Sequence, residues 1–335
     1  MPPEHESPLQ SLTATNVVIV AGKGGVGKTT VTAVIARAAS RDGRRVLVVE
    51  LDGKPTLDEL LRNDVDSDSD SEVEREGESD GDGADPPGGT LEVVHISAAD
   101  ALDEYLRDHG FQRIAKRLNK TGVIDMVGTA APGIDDVVVL GKIRQYEQSG
   151  DYDVIVVDGP AAGHAITFLT SATGLANAVR SGPVRTQSDG VIELLTDVER
   201  CQVVLVTLPE TTPVNEVIET AFALEDDVGI QLGPIVVNAV DDGAALPDVA
   251  AQDAALRGMA GVDGDVLRAA ASFRRARRAM ESNEIGRLAN EMPLAQLHLP
   301  ARLVAGLTSA DIDLMADVLA ESVTASVTES EADRG

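Results

Sequence analysis

The sequence segment that decides the fold is residues 22–30, which read Gly-Lys-Gly-Gly-Val-Gly-Lys-Thr-Thr. This segment fits the pattern G-x-x-x-x-G-K-[ST]. It follows a nearly continuous apolar run at residues 16–21, typical of a buried strand, and it leads into a helical pattern at residues 29–39. Glycines between a strand and a helix allow successive backbone N–H groups to face phosphate oxygens. The sequence therefore predicts a phosphate-binding loop, or P-loop.

The side chains of this loop have distinct expected roles. The Lys28 ammonium would reach the β- and γ-phosphates of a nucleoside triphosphate, and the Thr29 hydroxyl would coordinate Mg²⁺. The nucleotide-binding residues predicted from the loop are Gly22, Lys23, Gly24, Gly25, Val26, Gly27, Lys28, Thr29 and Thr30.

A second motif, at residues 153–160, supports this interpretation. It reads Asp-Val-Ile-Val-Val-Asp-Gly-Pro, which predicts an apolar strand that ends in Asp158. A carboxylate at the end of a strand beside a P-loop is the Walker B arrangement, in which it holds the hydration shell of Mg²⁺. We therefore expect Asp158 to hold the metal through water, beside the Thr29 hydroxyl.

Apolar runs along the chain indicate the fold class. Helical patterns separate them, at about residues 98–150 and 241–292, and an amphipathic helix is predicted at residues 311–323. Strands that alternate with helices indicate an α/β P-loop fold, a mostly parallel twisted sheet of about seven or eight strands with helices on both faces. The predicted strands are residues 16–21, 45–50, 91–96, 154–157, 203–208, 234–238 and 296–299.

One acidic segment interrupts this pattern. Residues 64–90 are dominated by Asp, Ser, Glu and Gly, and such a segment buries too little apolar surface to offset the entropy of ordering it. We expect a disordered insertion that divides one domain into two parts, residues 15–63 and 91–322. Flexible tails are expected at residues 1–14 and 323–335.

Composition narrows the possible partners and the location. The chain has 335 residues, a formal net charge of −28 and 2% aromatic residues. Nucleic-acid and anionic-membrane binders are usually basic, so we expect no nucleic-acid partner and no direct membrane anchor. The sequence shows no signal-peptide pattern and no long apolar span, which favours the cytoplasm. Scarce lysine and abundant aspartate suggest a high-salt, halophilic cytoplasm.

A different class of protein shares part of the loop pattern. Gly22, Gly24 and Gly27 also satisfy the dinucleotide fingerprint G-x-G-x-x-G, and Glu50 ends the second strand where a ribose-binding acid would lie. This alternative predicts an NAD-dependent Rossmann oxidoreductase without a Mg²⁺ site. It gives no role to Lys28 and Thr29.

Taken together, the motifs resemble those of the ArsA/Get-pathway ATPases, which belong to the SIMIBI class of P-loop proteins. The loop resembles the deviant Walker A sequence K-G-G-x-G-K-T. Residues 158–164 resemble the family's D-T-A-P-T-G-H signature, and residues 132–136 resemble its P-G-I-D-E segment. Residues 209–216 and 236–238 follow in the expected order. The likeness to prokaryotic "anion-transporting ATPase" members covers about residues 16–320 without the acidic insertion.

The resemblance implies an ATPase that uses ATP and Mg²⁺ and works as a homodimer or as a heterodimer with a paralogue. Lys23 matches the signature lysine, which crosses the dimer interface to the partner's nucleotide. Asp52 falls on the switch I acid that positions the attacking water, although Glu-Leu-Asp-Gly-Lys-Pro here differs from the family's D-P-A-H. With Lys28, these residues form the implied catalytic set.

Three further residues acquire roles from the same resemblance. Asn238 matches an asparagine that contacts the adenine base. Gly163 and His164 lie in switch II, where they would relay the state of the nucleotide to the helices beyond. The implied output is the handling of a client protein or of a membrane transport partner.

The sequence also departs from the family. Cys201 is the only cysteine, which excludes the zinc-bridging C-x-x-C pair and a multi-cysteine metalloid site, and we expect it to be buried. A positioning ATPase of the ParA/MinD kind is a further alternative, although it would need a basic DNA-binding face or a C-terminal membrane helix. The arginines of residues 274–278 are expected to pair with nearby acids on a solvated helix face.

Overall fold

The structure, a computed structural model, describes residues 8–51, 56–62, 89–110, 133–246 and 263–332. Asp52, the predicted acidic insertion up to residue 88 and Pro132 lie outside the described residues, as do residues 1–7 and 333–335 of the predicted tails.

The described strands form one parallel sheet. The strand order is β3-β2-β4-β1-β5-β6-β7, and every neighbouring pair is parallel. This sheet confirms the predicted α/β fold, and each of the seven predicted segments forms a strand. The strands are β1 (Val17–Gly22), β2 (Val46–Leu51), β3 (Leu91–Ile96), β4 (Val154–Ala161), β5 (Cys201–Thr207), β6 (Ile235–Val240) and β7 (Gln296–Pro300).

Helices connect these strands and cover both faces of the sheet. The described helices are α1 (Pro8–Ala14), α2 (Lys28–Arg41), α3 (Thr56–Leu61), α4 (Ala98–Asp108), α5 (Ile134–Ser149), α6 (Ala162–Ala178), α7 (Pro183–Thr196), α8 (Thr211–Asp227), α9 (Gly264–Glu291) and α10 (Ser309–Ala332). None of the helices in the described part of the chain is both long enough and apolar enough to cross a bilayer.

The two faces of the sheet bury two separate cores. Successive side chains of a strand point to opposite faces, so alternate residues of β1 enter different cores. Val18 and Val20 pack with apolar residues of α2 and α10. Val17 and Ile19 pack with residues of α5, α6, α7 and α8. Burial on both faces explains why the central strands read as continuous apolar runs.

The first described residues differ from the predicted flexible tail. Residues 8–14 form α1, and the Leu12 side chain is fully buried in the core that contains α2 and α10. The buried Gln202 side chain in β5 donates hydrogen bonds to the Leu12 carbonyl oxygen at 3.1 Å and to Thr15 Oγ1 at 2.8 Å. At the other end, α10 continues to Ala332, beyond the expected end at residue 323. The helix α1 is therefore part of the packed domain.

We predict that Leu12→Ala lowers the free energy of unfolding by about 2–4 kcal/mol, because it removes buried methyl groups and leaves a cavity. Chemical denaturation measures this difference. Leu303→Ala is the matched control, since that side chain is 99% exposed. Equal stability of the two variants would mean that residues 8–14 do not pack as described.

Candidate nucleotide-binding site

The predicted site residues meet at the carboxyl edge of the sheet. The strand β1 ends at Gly22, and α2 begins at Lys28, so the P-loop lies directly above β1. Asp158 in the neighbouring strand β4 is in register with Val20 of β1. Asn238 lies in β6 on the other side of β1. Ligands of open parallel sheets bind at this edge, where crossover helices leave in opposite directions.

Gly27 shows why the loop needs glycine. It caps α2 with φ at +91°, a left-handed conformation that side chains rarely adopt. A Cβ atom at this position would lie 2.3 Å from Asn238 Nδ2. The close approach brings the loop against β6 and leaves the first N–H groups of α2 for an anion.

Asp158 and Thr29 connect the two predicted motifs. Thr29 Oγ1 donates a hydrogen bond to Asp158 Oδ2 at 2.8 Å, and Thr32 Oγ1 lies 3.4 Å from Asp158 Oδ1. Burial raises the pKa of Asp158, whereas Thr29, Lys28 and Thr32 lower it. A desolvated carboxylate next to a hydroxyl is a suitable pair of oxygen ligands for a hard cation.

Lys28 is the cation on the inner side of the loop. Burial lowers the pKa of Lys28, and the negative charge of Asp158 opposes that shift. Its Nζ donates to the Lys23 carbonyl oxygen at 3.3 Å, so the side chain folds back under the loop. A partly desolvated ammonium at a helix N-terminus gains charge stabilisation when phosphate binds.

Lys23, the other lysine of the loop, lies at the surface. Its side chain is 45% exposed, and its Nζ forms an ion pair with the Glu216 carboxylate in α8. The two lysines of the loop therefore occupy different environments: Lys28 is partly desolvated under the loop, and Lys23 is at the surface. The sequence placed Glu216 within a family segment but gave it no contact with Lys23, because that contact depends on where α8 packs.

Asn238 contacts the loop directly. Its side chain is buried, and Nδ2 donates to the Val26 carbonyl oxygen at 2.9 Å. The next residue, Ala239, has φ at +58°, and the pairing of β6 with β7 shifts register between Val237 and Val240. Unusual backbone of this kind often occurs at functional sites. Here it interrupts the regular pairing at Asn238 and Ala239, and the pairing resumes at Val240.

The two residues predicted to lie in switch II have different surroundings. Gly163 borders the same surface depression as Lys23 and Glu216. His164 is exposed at the start of α6 and lines a cavity of about 350 Å³ with Asp135 and Phe168, away from the loop. The structure therefore brings Gly163, but not His164, close to Lys23.

Glu50 does not offer a free carboxylate for a ribose. It is buried, its carboxylate accepts the Leu57 backbone N–H, and Oε2 lies 2.8 Å from His95 Nδ1. The dinucleotide alternative relied on this residue. Its contacts with His95 of β3 and Leu57 of α3 occupy the carboxylate that a ribose would need.

Two further expectations from sequence are confirmed. Cys201 is completely buried in β5, and burial raises the pKa of its thiol well above the ordinary value. Two of the arginines in α9 pair with acids: Arg274 with Asp241 at 2.6 Å and Arg277 with Glu281 at 2.8 Å. The Arg274 guanidinium lowers the pKa of Asp241 to about 2.

The residues present fit a magnesium ion that is shared with phosphate. Within the described ranges, no group of three or more His, Cys, Asp or Glu side chains forms a metal site of its own. Mg²⁺ is commonly held by one or two protein oxygens, water and substrate phosphates. The hydroxyl and carboxylate of Thr29 and Asp158 match that requirement.

A parallel sheet, a glycine loop that caps a helix, and a partly buried aspartate of the neighbouring strand bonded to the loop threonine define a P-loop ATPase. The comparison with known families agrees, since the profile of the anion-transporting ATPases matches residues 15–185. The chain belongs to this ArsA-type ATPase family.

Individual relatives extend this result. The chain is 32% identical over 265 residues to ATPase BagA of Mycobacterium tuberculosis, which covers 77% of this chain and 74% of that protein. It is 26% identical over 246 residues to a Halobacterium salinarum protein whose name describes an arsenical pump-driving ATPase, with coverages of 67% and 35%. It is 23% identical over 267 residues to ATPase GET3B of Arabidopsis thaliana, with coverages of 66% and 63%. The ArsA/Get resemblance is confirmed.

We predict that Gly27→Ala abolishes detectable ATP binding, because its Cβ would collide with Asn238 and its φ would be strained. Calorimetric titration with ATP and Mg²⁺ measures the affinity. Gly286→Ala in α9 is the control, since a Cβ there meets nothing within 4 Å. Similar affinities for the two variants would contradict the described loop conformation.

Proposed function

We propose that this ATPase is a dimeric switch in which Mg²⁺-ATP draws two subunits together and hydrolysis releases them. The subunits are two copies of this chain or this chain and a paralogue. The nucleotide cycle would control the handling of a client protein or of a membrane transport partner. The observation that carries the proposal is the convergence of Lys28, Thr29 and Asp158 at the mouth of the P-loop.

Each residue of the site has a chemical task in this proposal. The loop N–H groups and Lys28 bind the phosphates, and Thr29 and Asp158 would hold Mg²⁺, Asp158 through water. When bound, Mg²⁺ neutralises phosphate charge as the γ-phosphoryl group leaves. Asn238 would contact the adenine base, and Asp52 would position the attacking water.

The different surroundings of the two loop lysines support a role for the dimer. Lys28 is partly buried under the loop, where the charge of Asp158 acts on it, so we assign it to the nucleotide of its own subunit. Lys23 is at the surface and paired with Glu216 of the neighbouring helix, where a second subunit could approach. A second cation on the γ-phosphate would stabilise the transition state as an arginine finger does.

The communicating elements lie directly beside the site. Asp158 is followed in β4 and α6 by Gly163 and His164, so a shift at the phosphate would be transmitted along α6. Order and position of such segments change with the γ-phosphate in other nucleotide switches. The name of one relative describes an arsenical pump-driving ATPase, which supports coupling to a transport partner.

We predict that Asp52→Asn retains ATP affinity within about twofold and lowers turnover by at least about a hundredfold, because the amide cannot accept a proton from the attacking water. Phosphate release at saturating ATP and calorimetric ATP binding separate the two effects.

Asp42→Asn is the matched control for this variant. Asp42 is an exposed residue that follows α2 at the opposite end from the P-loop, so its turnover should equal that of the wild type. Unchanged turnover in Asp52→Asn would remove that residue from the catalytic set.

For Lys23, we predict complementation between two inactive variants. Lys23→Ala binds ATP but lacks the proposed trans-acting lysine, whereas Lys28→Ala keeps Lys23 but does not bind ATP. In an equal mixture, about half of the dimers are mixed and each has one complete site, so about a quarter of wild-type turnover per subunit should return.

The readout is phosphate release by each variant alone and by the mixture at the same total concentration. Turnover of the mixture equal to the mean of its components would refute a role for Lys23 across the dimer. Lys142→Ala, altered in α5 far from the loop, is the control and should be fully active alone.

A further inference from the structure

A second cluster of ionisable side chains, formed by Glu50, His95 and Asp58, lies next to Asp158, and these three residues have no role in the function proposed above. In the parallel register, Glu50 of β2 is paired with Asp158 of β4 on one side and with His95 of β3 on the other. Residues in register on parallel strands project from the same face. The side chains of Asp158, Glu50 and His95 therefore form a row across the carboxyl edge of the sheet. The row starts at Asp158, which is bonded to Thr29.

His95 connects the row to α3. Its Nδ1 lies 2.8 Å from Glu50 Oε2, an ion-pair contact without hydrogen-bond alignment, and its Nε2 lies 3.0 Å from Asp58 Oδ2. Glu50 also accepts the backbone N–H of Leu57. Two contacts therefore connect β2 with the first turn of α3: one direct, through Leu57, and one through the His95 ring.

The position of this cluster in the chain gives it significance. The strand β2 ends at Leu51 and α3 begins at Thr56, so only four residues separate the two elements. Asp52 is the first of those four. Glu50 and Asp58 therefore lie on opposite flanks of the segment that carries the proposed hydrolytic acid, and His95 of a third element contacts both.

The burial of Glu50 makes its partners necessary. Its side chain is 5% exposed, and a buried carboxylate is costly unless it is paired. Burial and the negative charges of Asp158 and Asp58 raise the pKa of Glu50, whereas His95 and the Leu57 N–H lower it. The contacts with His95 and with the Leu57 N–H therefore stabilise the buried Glu50 carboxylate, and they hold His95 and α3 in place. The contact between the more exposed His95 and Asp58 adds little stability by itself, as for other exposed ion pairs.

We propose that His95 is a positioning residue for ATP hydrolysis: by contacting Glu50 and Asp58 together, it fixes the end of β2 relative to α3 and thus the flanks of Asp52. The inference rests on the function proposed for Asp52. His95 contacts Glu50 and Asp58, whereas the phosphates are expected to bind the loop N–H groups and Lys28. Small displacements of a reacting group reduce rates strongly, so the effect should fall on turnover.

The test separates turnover from binding. His95→Ala should lower turnover at saturating ATP by about tenfold or more, with ATP affinity within about twofold of the wild type. His95→Gln, whose amide can still donate to Asp58, should recover at least half of the lost turnover on a logarithmic scale. His109→Ala, which removes a histidine at the end of α4, is the control and should leave turnover unchanged.

A double-variant comparison tests whether the contacts act as one unit. Asp58→Ala alone should reduce turnover, and combining it with His95→Ala should reduce turnover no further than His95→Ala alone. Asp58 is 36% exposed, so this variant keeps the test informative even if His95→Ala does not fold.

Three results would overturn the inference. The first is wild-type turnover in His95→Ala or, if His95→Ala does not fold, in Asp58→Ala. The second is a loss of ATP affinity as large as the loss of turnover in either variant. The third is a double variant whose loss of turnover equals the product of the two single losses. Asp52→Asn, measured in parallel, identifies the step that failed. If that variant is inactive while both cluster variants are normal, only the positioning role is wrong. If it hydrolyses ATP normally, the role of Asp52 and the inference fail together.

Discussion

The hydrogen bond from Thr29 to Asp158 is the contact on which the rest of the site depends. It joins the first turn of α2 to Asp158 in the second half of β4, and its 2.8 Å length places the predicted metal ligands side by side. The contact is possible because β4 pairs directly with β1, the strand that carries the P-loop. Burial of β1 on both faces fixes where the loop begins, and the hydrogen bond from Asn238 to Val26 holds the loop against β6. The ATPase site is therefore a product of the sheet order.

Desolvation gives this site its electrostatic character. Burial lowers the pKa of Lys28 and raises that of Asp158, so each group lacks part of the solvation that its charged form requires. Phosphate and a divalent cation would supply opposite charges to the two groups. The neighbouring Glu50 shares the same edge of the sheet and is balanced by His95 rather than by ligand. At this edge of the sheet, the charges of Lys28 and Asp158 would be balanced by bound ligand, whereas the charge of Glu50 is balanced by a residue of the chain.

The sequence predicted the strands and the loop because both are encoded locally, in continuous apolar runs and in fixed glycine spacing. It did not predict α1, since seven residues are too few for a clear helical period and the helix is held by distant Gln202. The contacts of Lys23 with Glu216 and of Glu50 with His95 were also missed. They depend on which helix and which strands become neighbours, and local pattern does not encode that order. His164 was predicted to respond to the nucleotide, but its side chain lines a separate cavity.

The most direct test of the account is the position of the metal in crystals grown with Mn²⁺ and a non-hydrolysable ATP analogue. Anomalous scattering locates Mn²⁺ independently of the protein coordinates. The account predicts one peak at direct-ligand distance from Thr29 Oγ1, on the side of the Asp158 carboxylate, with the triphosphate in the P-loop. Bound nucleotide without that peak, or a metal held away from both residues, would contradict it.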